Sequence, residues 1–442
     1  MPLAMILTLI AGIFTGYPVA FVLGGVGILF TFIADVPLLF LGTVPSRIFT
    51  GTLANWLLLA IPLFVFMGLM LEKSNVAKNL LLALEDLFAG RRGGLAISVT
   101  LLGVVMAAST GIIGASVVML GLMAMPAMLG RDYSKALASG VICSAGTLGI
   151  LIPPSIMLVL VGDILQLSVG DLFMGALLPG VLLGALYIGY IAILAWLSPR
   201  SAPAGERIGD AGGAALALRL IKTLVAPAAL IVGVLGSIIA GVATPTEAAA
   251  IGAAGAMLLA ALMRELSWSV LVECLRETTL TTAMILFVAI GATVFSVIFK
   301  RVGGDAMISD AIAALAAGPY QTLLLIMGLI FVLGFFLEWI EISYVVLPLF
   351  APIVAGLDFG FANSGVTLIW FAILVAINLQ TSFLTPPFGY ALFYLKGVTP
   401  PEVGMRDIYV GIIPFVGLQL IGLGLAIAIP GLVLWLPGAA AG

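Results

Sequence analysis

Residues 144–155 read Ser-Ala-Gly-Thr-Leu-Gly-Ile-Leu-Ile-Pro-Pro-Ser, and this stretch limits the possible folds most tightly. Pro153 and Pro154 supply no backbone N–H, and Pro153 disfavours the α conformation at Ile152, so a helix entering here must break. The chain is apolar on both sides. Over its 442 residues it is 63% hydrophobic and 8% charged. A soluble domain carries about 25% charged residues, so the chain reads as an all-α polytopic membrane protein. The break then lies at membrane depth, where freed backbone carbonyls are tolerated only if buried in protein or lining a polar cavity. The same device returns at Asn378-Leu-Gln-Thr-Ser-Phe-Leu-Thr-Pro-Pro-Phe-Gly389. A pair of interrupted apolar segments in matching places of two halves points to a transporter's binding site.

Composition also excludes. There is no histidine, which removes His-based acid–base chemistry, His-ligated metal and haem. Cys143 and Cys274 fit no metal spacing and read as small buried hydrophobes. A formal net charge of −3 gives no reason to expect nucleic acid as a partner. An intramembrane enzyme would need a nucleophile and a base at depth, and the chain has no Gly-x-Ser-x-Gly. A channel would need a symmetric filter, and none is visible. The start, Met-Pro-Leu-Ala-Met-Ile-Leu, has no basic n-region and reads as a first membrane helix.

Taken in order, residues 3–33 form one apolar run, read as one tilted span, and 53–71 form a second. Residues 78–88 are an interfacial helix. Residues 94–129 form a re-entrant hairpin with short arms, basic residues at both outer ends, and Ser109, Thr110, Gly111 and Ser116 near its tip. The broken helix 136–170 follows; Asp163 is expected to cap a helix end. Spans at 174–197 and 220–240 flank the polar stretch 199–213, the seam between halves. Thr244-Pro-Thr-Glu247 opens a helix to Leu262, with Thr244 as N-cap and Glu247 completing a capping box. A second interfacial helix is expected at 267–276 and a span at 278–299. The pattern then repeats. Phe64-Val-x-x-Gly68 returns as Phe287-Val-x-x-Gly291, and the hairpin returns at 320–356. The Pro153-Pro154 break returns as Pro386-Pro387 within a broken helix 364–396, and 405–436 close the chain. This gives scaffold residues 1–73 and 174–300, transport parts 74–173 and 301–400, and a C-terminal helix within 401–442.

Counting nine crossings from an inside N-terminus puts fourteen of the 17 Lys and Arg residues in the cytoplasm. Only Arg47, Lys300 and Arg301 fall outside, which favours this trace and a periplasmic C-terminus. The hairpins then enter from opposite sides, and the two repeats are inverted.

A cation site in hydrocarbon needs oxygens from several directions, and hairpin tips and helix breaks supply them. In the first half Ser109, Thr110 and Ser116 can face Gly146, Thr147, Gly149 and Ile152. In the second half Gly334 and Glu338 can face Thr381, Ser382, Leu384 and Thr385. Helix ends at the breaks point partial positive charge inward, which suits an anionic substrate. Thr110, Gly111, Ser155, Glu338 and Thr381 are its expected contacts. Glu338 and Glu341 lie three apart, on one helical face. A carboxylate this deep is a proton carrier, an acceptor for backbone N–H groups at the tip, or a group in an aqueous mouth.

The segments Ala108-Ser-Thr-Gly-Ile-Ile-Gly-Ala-Ser116, Gly146-Thr-Leu-Gly-Ile-Leu-Ile-Pro-Pro-Ser155, Gly241-Val-Ala-Thr-Pro-Thr-Glu-Ala-Ala-Ala250, Phe336-Leu-Glu-Trp339 and Leu384-Thr-Pro-Pro-Phe-Gly389 together resemble the large membrane subunit of TRAP transporters, the DctM-like family. The resemblance covers essentially the whole chain. It implies sodium-driven uptake of small organic anions, typically carboxylates, across the bacterial inner membrane by an elevator mechanism. No cofactor is implied beyond sodium as the coupling ion. The implied partners are a small four-helix membrane subunit, a periplasmic substrate-binding protein and membrane lipids. The small subunit is expected as a separate chain, since the sequence opens directly on the large-subunit pattern. By family position one sodium ion falls to Ser109, Gly149, Ile152 and Pro154, and a second to Gly334, Ser382, Thr385 and Phe388. Ser382 stands where many relatives carry glycine. The competing reading is a proton-coupled or binding-protein-independent anion transporter of the same superfamily using Glu338 or Glu341.

Overall fold

The computed structural model describes the backbone of residues 1–74, 76–110, 113–205, 213–314, 318–386 and 389–441. Within these it describes all side chains but those of 76–77, 107–110, 213–224, 313 and 441. Among these residues the chain is helical, apart from one isolated bridge between Arg92 and Ala204. Six helices are long and apolar enough to cross a membrane: Trp56–Lys73, Val169–Leu197, Pro245–Leu262, Trp268–Arg301, Ser364–Ser382 and Met405–Ala428.

Both hairpins form. The arms of the first, Gly94–Thr110 and Ile113–Leu129, have 17 residues each. That is about 25 Å of helix, short of a hydrocarbon core of about 30 Å. Both arms pack on the helix Lys135–Thr147. The second hairpin runs down Pro319–Leu333, turns through Gly334–Glu338, and returns from Trp339 to Ala355 with a π-turn at Ile342–Val346.

Both long helices break where the prolines require it. Lys135–Thr147 tightens into a 3₁₀ turn at Leu148–Ile150, and the helix restarts at Ile156–Leu165. Ser364–Ser382 ends at Phe383 and the helix restarts at Tyr390–Val398. Pro387 and Phe388 lie outside the described residues. The Thr244–Glu247 capping box forms as expected: Thr244 N–H donates to Glu247 Oε2 at 2.8 Å, and Glu247 N–H donates to Thr244 Oγ1 at 3.3 Å.

Four expectations are corrected. Residues 3–33 are two helices, Pro2–Ile13 and Val19–Ile33, because Gly16 takes φ +79° and Pro18 cannot continue a helix. Residues 267–299 are not an interfacial helix plus a span but one helix, Trp268–Arg301; no glycine or proline interrupts 268–290, and Glu273 is held by Lys73 Nζ at 2.6 Å. The closing run divides at Pro430 into Met405–Ala428 and Gly431–Ala441. Asp163 does not cap a helix; its Oδ1 accepts from Asn55 Nδ2 at 2.6 Å, and Asn55 Oδ1 in turn caps the turn at Leu57.

Helices cross closely where glycines allow it. A Cβ at Gly140 would collide with the Gly411 carbonyl, and one at Gly411 with the Ala136 carbonyl, so Lys135–Thr147 and Met405–Ala428 touch backbone to backbone. Gly291 meets the Ala20 carbonyl in the same way, joining Trp268–Arg301 to Val19–Ile33. Two sets of helices can be distinguished, in contact where Trp56–Lys73 packs on Gly94–Thr110. Val19–Ile33, Trp56–Lys73, Pro245–Leu262 and Trp268–Arg301 form one. The first hairpin, both broken helices, Val169–Leu197 and Met405–Ala428 form the other. Loop residues 201–205 are stapled to the second group: Gly90 N–H donates to Gly205 O, Gly93 N–H to Ala202 O and Ser134 N–H to Ser201 O, at 2.9–3.1 Å.

Candidate functional site

The first break is buried from Leu148 to Ser155 and closed by its own hydroxyls. Ser155 Oγ donates to the Ile150 carbonyl at 2.6 Å, and Thr147 Oγ1 to the Ser144 carbonyl at 2.9 Å. Ile152 N–H reaches back to Leu148 O at 2.9 Å. The first hairpin lies directly against it. A Cβ at Gly146 would stand 2.5 Å from Val117 Cγ2, and the arm ending at Thr110 packs on Leu148–Ile150. The sequence thus places Gly149, Ile152 and Pro154 together beside the hairpin, with Ser116 buried near its tip. The backbone of Ser109 and Thr110 ends the first arm; their side chains, and Gly111 entirely, lie outside the described residues.

The second break has the same plan. Thr381, Ser382 and Thr385 hydroxyls donate to the carbonyls of Ile377, Leu379 and Thr381 at 2.8–2.9 Å. Gly334 at the tip touches Ser382 so closely that any Cβ would collide with Oγ. Gly334, Ser382 and Thr385 are therefore gathered, while Phe388 is outside the described residues. Tyr390 donates to the Phe336 carbonyl at 2.8 Å, tying the restarted helix to the tip.

The carboxylates divide the roles the sequence left open. Glu341 is buried, and its carboxylate accepts backbone N–H groups of Glu338 and Glu341, which supports the tip. Its Oε2 has no partner. Glu338 is half-buried and accepts from Tyr394 Oη at 3.3 Å.

A cavity of about 150 Å³ joins the two devices. Gly114 of the first hairpin, Ile156, Thr281, Glu338, Tyr390 and Tyr394 are among its walls. The first residues of three helices, Ile156, Trp339 and Tyr390, line it. Helix N-termini carry partial positive charge and free N–H groups, so the ends at Ile156 and Tyr390 attract an anion, while the end at Trp339 is met by the carboxylates of Glu338 and Glu341. Of the five residues expected to touch substrate, Glu338 lines the cavity. Ser155 and Thr381 are fully buried with their hydroxyls on backbone carbonyls.

Sequence reasoning missed the tyrosines and a buried polar cluster. Gln380 Nε2 reaches Thr147 Oγ1 at 3.4 Å and Tyr187 Oη at 3.3 Å, and Gln419 Nε2 donates to Tyr187 Oη at 2.8 Å. The signal that could have found them is an amide inside an apolar run, which is costly at membrane depth.

Paired hairpins, paired helix breaks and a shared cavity at membrane depth define a polytopic transport permease. The chain belongs to the DctM family: residues 6–432 match the family described as "Tripartite ATP-independent periplasmic transporter, DctM component". It is 30% identical to the C4-dicarboxylate TRAP transporter large permease protein DctM of Vibrio cholerae, over 99% of this chain and 98% of that one. It is 32% identical to the protein of the same name from Pseudomonas aeruginosa over 80% of each. Identity to the sialic acid TRAP transporter large permease protein SiaM of Vibrio cholerae is 26%, over 96% of each. The fold resembles the crystal structure of the Alcanivorax borkumensis YdaH transporter, described as having an unusual topology, with a TM-score of 0.60 over 88% of both chains and 15% identity.

Proposed function

We propose that this chain is the permease subunit of a sodium-coupled, binding-protein-dependent importer of small organic anions. The convergence of the helix N-termini at Ile156 and Tyr390 on one cavity carries the anion half of this reading. Among the described lining residues there is no Lys or Arg, so the anion's charge is met by helix ends and by co-bound cations. Relatives named for C4-dicarboxylates and for sialic acid fit a carboxylate substrate. The sodium half rests on the two breaks, each with hydroxyls and turn carbonyls beside a hairpin, which is a hard-oxygen environment suited to a monovalent cation. Sodium is cargo here, released on the inner side with the substrate.

The two packed groups suit an elevator. In this reading the group built on Trp268–Arg301 stands still and the group holding both breaks slides past it, with Val169–Leu197, expected from the sequence as scaffold, packed on the sliding side. An inner-membrane location is part of this reading, and a cytoplasmic N-terminus with a periplasmic C-terminus is the orientation that Lys and Arg favour when residues 3–33 are counted as a single crossing. A small four-helix membrane subunit and a periplasmic binding protein complete the system. This chain covers 58% of the isethionate TRAP transporter permease protein DctMQ of Oleidesulfovibrio alaskensis, which leaves room in that protein for a fused second component. One observation favours a second reading, in which Glu341 carries a proton: its Oε2 is buried and unpartnered.

Proteoliposomes holding this chain with its small subunit test both. An inward sodium gradient is imposed, labelled carboxylates are supplied, and binding protein is added or omitted. Uptake needing sodium and binding protein is the expected result. Uptake that ignores sodium but follows a proton gradient, and is lost in Glu341→Gln, replaces it with the second reading.

A further inference from the structure

The buried amide of Gln380 stands between the two breaks. It lies one residue before Thr381 and two before Ser382, and its Nε2 reaches Thr147, which is two residues before Gly149. One side chain therefore joins the last turn before the first break to the last turn before the second, across residues 233 apart in the chain. Gln380, Thr147, Tyr187 and Gln419 are all fully buried. Burying an amide costs free energy that a leucine would not incur, so its presence needs a reason. Local packing does not supply one, because Gln380 is poorly satisfied. Both its contacts, 3.4 and 3.3 Å, exceed the usual 2.7–3.2 Å, and its Oε1 has no partner. Gln419 also leaves its Oε1 without a partner, while its Nε2 holds Tyr187 at 2.8 Å, the shorter of the two amide contacts to that hydroxyl.

We propose that Gln380 is a positioning residue that couples the two breaks, so that a cation bound at one raises affinity at the other. The proposal rests on the sodium reading above. The path is continuous. Thr147 donates to the Ser144 carbonyl, and Thr381 and Ser382 donate to the carbonyls of Ile377 and Leu379, on either side of Gln380. A cation that draws in carbonyls at one break turns these last helical turns. A shift of a few tenths of an ångström shortens one of the amide's long bonds and settles the geometry at the other break. Bonds in such a chain polarise one another, so the tightened state is favoured as a unit. A coupling of about tenfold in affinity is expected, within the ordinary range for linked sites.

The test uses the purified complex of this chain with its small subunit in nanodiscs. Sodium chloride is titrated against choline chloride at fixed ionic strength, and intrinsic tryptophan fluorescence is followed as a saturable readout of binding. The native complex should respond cooperatively, with a Hill coefficient of about 1.5, the value that tenfold coupling gives for two sites. Gln380→Ala should still respond, with a coefficient near 1. Thr147→Val should do the same from the other side, and the double variant should fall no further. Tyr187→Phe, which keeps the ring, covers the case in which Gln380→Ala does not fold. Gln380→Ala with the native coefficient overturns the proposal, as does a native coefficient of 1; either leaves the sodium reading intact. A native complex blind to sodium overturns the sodium reading and the coupling with it.

Discussion

The two helix breaks share a plan and differ in chemistry. The first, Leu148–Ser155, is wholly buried and contains no titratable side chain; hydroxyls and turn carbonyls close it. The second is wrapped by Glu338, Glu341, Tyr390 and Tyr394, and these face the cavity or brace its rim. Duplication alone would make both ends equivalent. Under the proposed function this difference is a division of labour: the first half would supply a neutral oxygen cage, and the second the polar side chains a substrate would meet. Tyr394 links the two, since its ring lies against Gly114 of the first hairpin, 3.1 Å from where a Cβ would stand, while its hydroxyl holds Glu338.

Substitutions can break this comparison. The largest effect is expected at Gly334→Ala, where the new methyl collides with Ser382. Overpacking of about 2 kcal/mol would lower sodium-driven uptake roughly 30-fold. Adding Ser382→Gly should restore it. The counterpart, Gly146→Ala, meets Val117 Cγ2 at 2.5 Å and also its Cα at 3.1 Å, so trimming Val117 should restore uptake only in part. Equal rescue in both halves would erase the asymmetry. Next, Glu341→Leu removes the acceptor for the tip N–H groups. Its initial uptake rate should fall about tenfold, from about 1.5 kcal/mol of lost bonding to a charged group. No single change of that kind exists at the first tip among the described residues. Smaller again, Ser155→Ala loses a fully buried 2.6 Å bond, at about 1 kcal/mol, and should lower the thermal midpoint more than Thr385→Val, whose hydroxyl is half-buried. The smallest is Lys135→Ala, which frees the Glu402 carbonyl from an exposed 2.7 Å bond and should cost under about 0.5 kcal/mol in the same measurement.

What the sequence made legible was what local chemistry dictates. Pro153-Pro154 forbids a helix whatever surrounds it, and Thr244 to Glu247 satisfies its own helix end. Hairpin arms too short to span betray themselves by length. Where tertiary contacts decide, the reading failed. Residues 267–276 read as an interfacial helix, yet Glu273 pairs with Lys73 and the helix runs on unbroken. Gly16 and Pro18 signalled a break that the apolar run on either side concealed. Gln380 was visible as a polar residue in an apolar stretch, but its partners Thr147 and Tyr187 sit on other helices, and no periodicity names them. The Asn55–Asp163 bond was hidden for the same reason: its two ends are 108 residues apart.

The unbroken helix Trp268–Arg301 also sets a scale. Its 34 residues make a rod of about 51 Å, far longer than the oily slab it crosses. Thr281, Met284 and Ile285 of the cavity wall lie 13–17 residues beyond Trp268, which places them about 20–25 Å from one end and about 25–30 Å from the other. The rod is thus a ruler with the cargo chamber beside its midpoint. Under the proposed function, sliding of the cavity along this rod in either sense would carry it toward one end, with the direction of net flow left to the ions and the partner proteins.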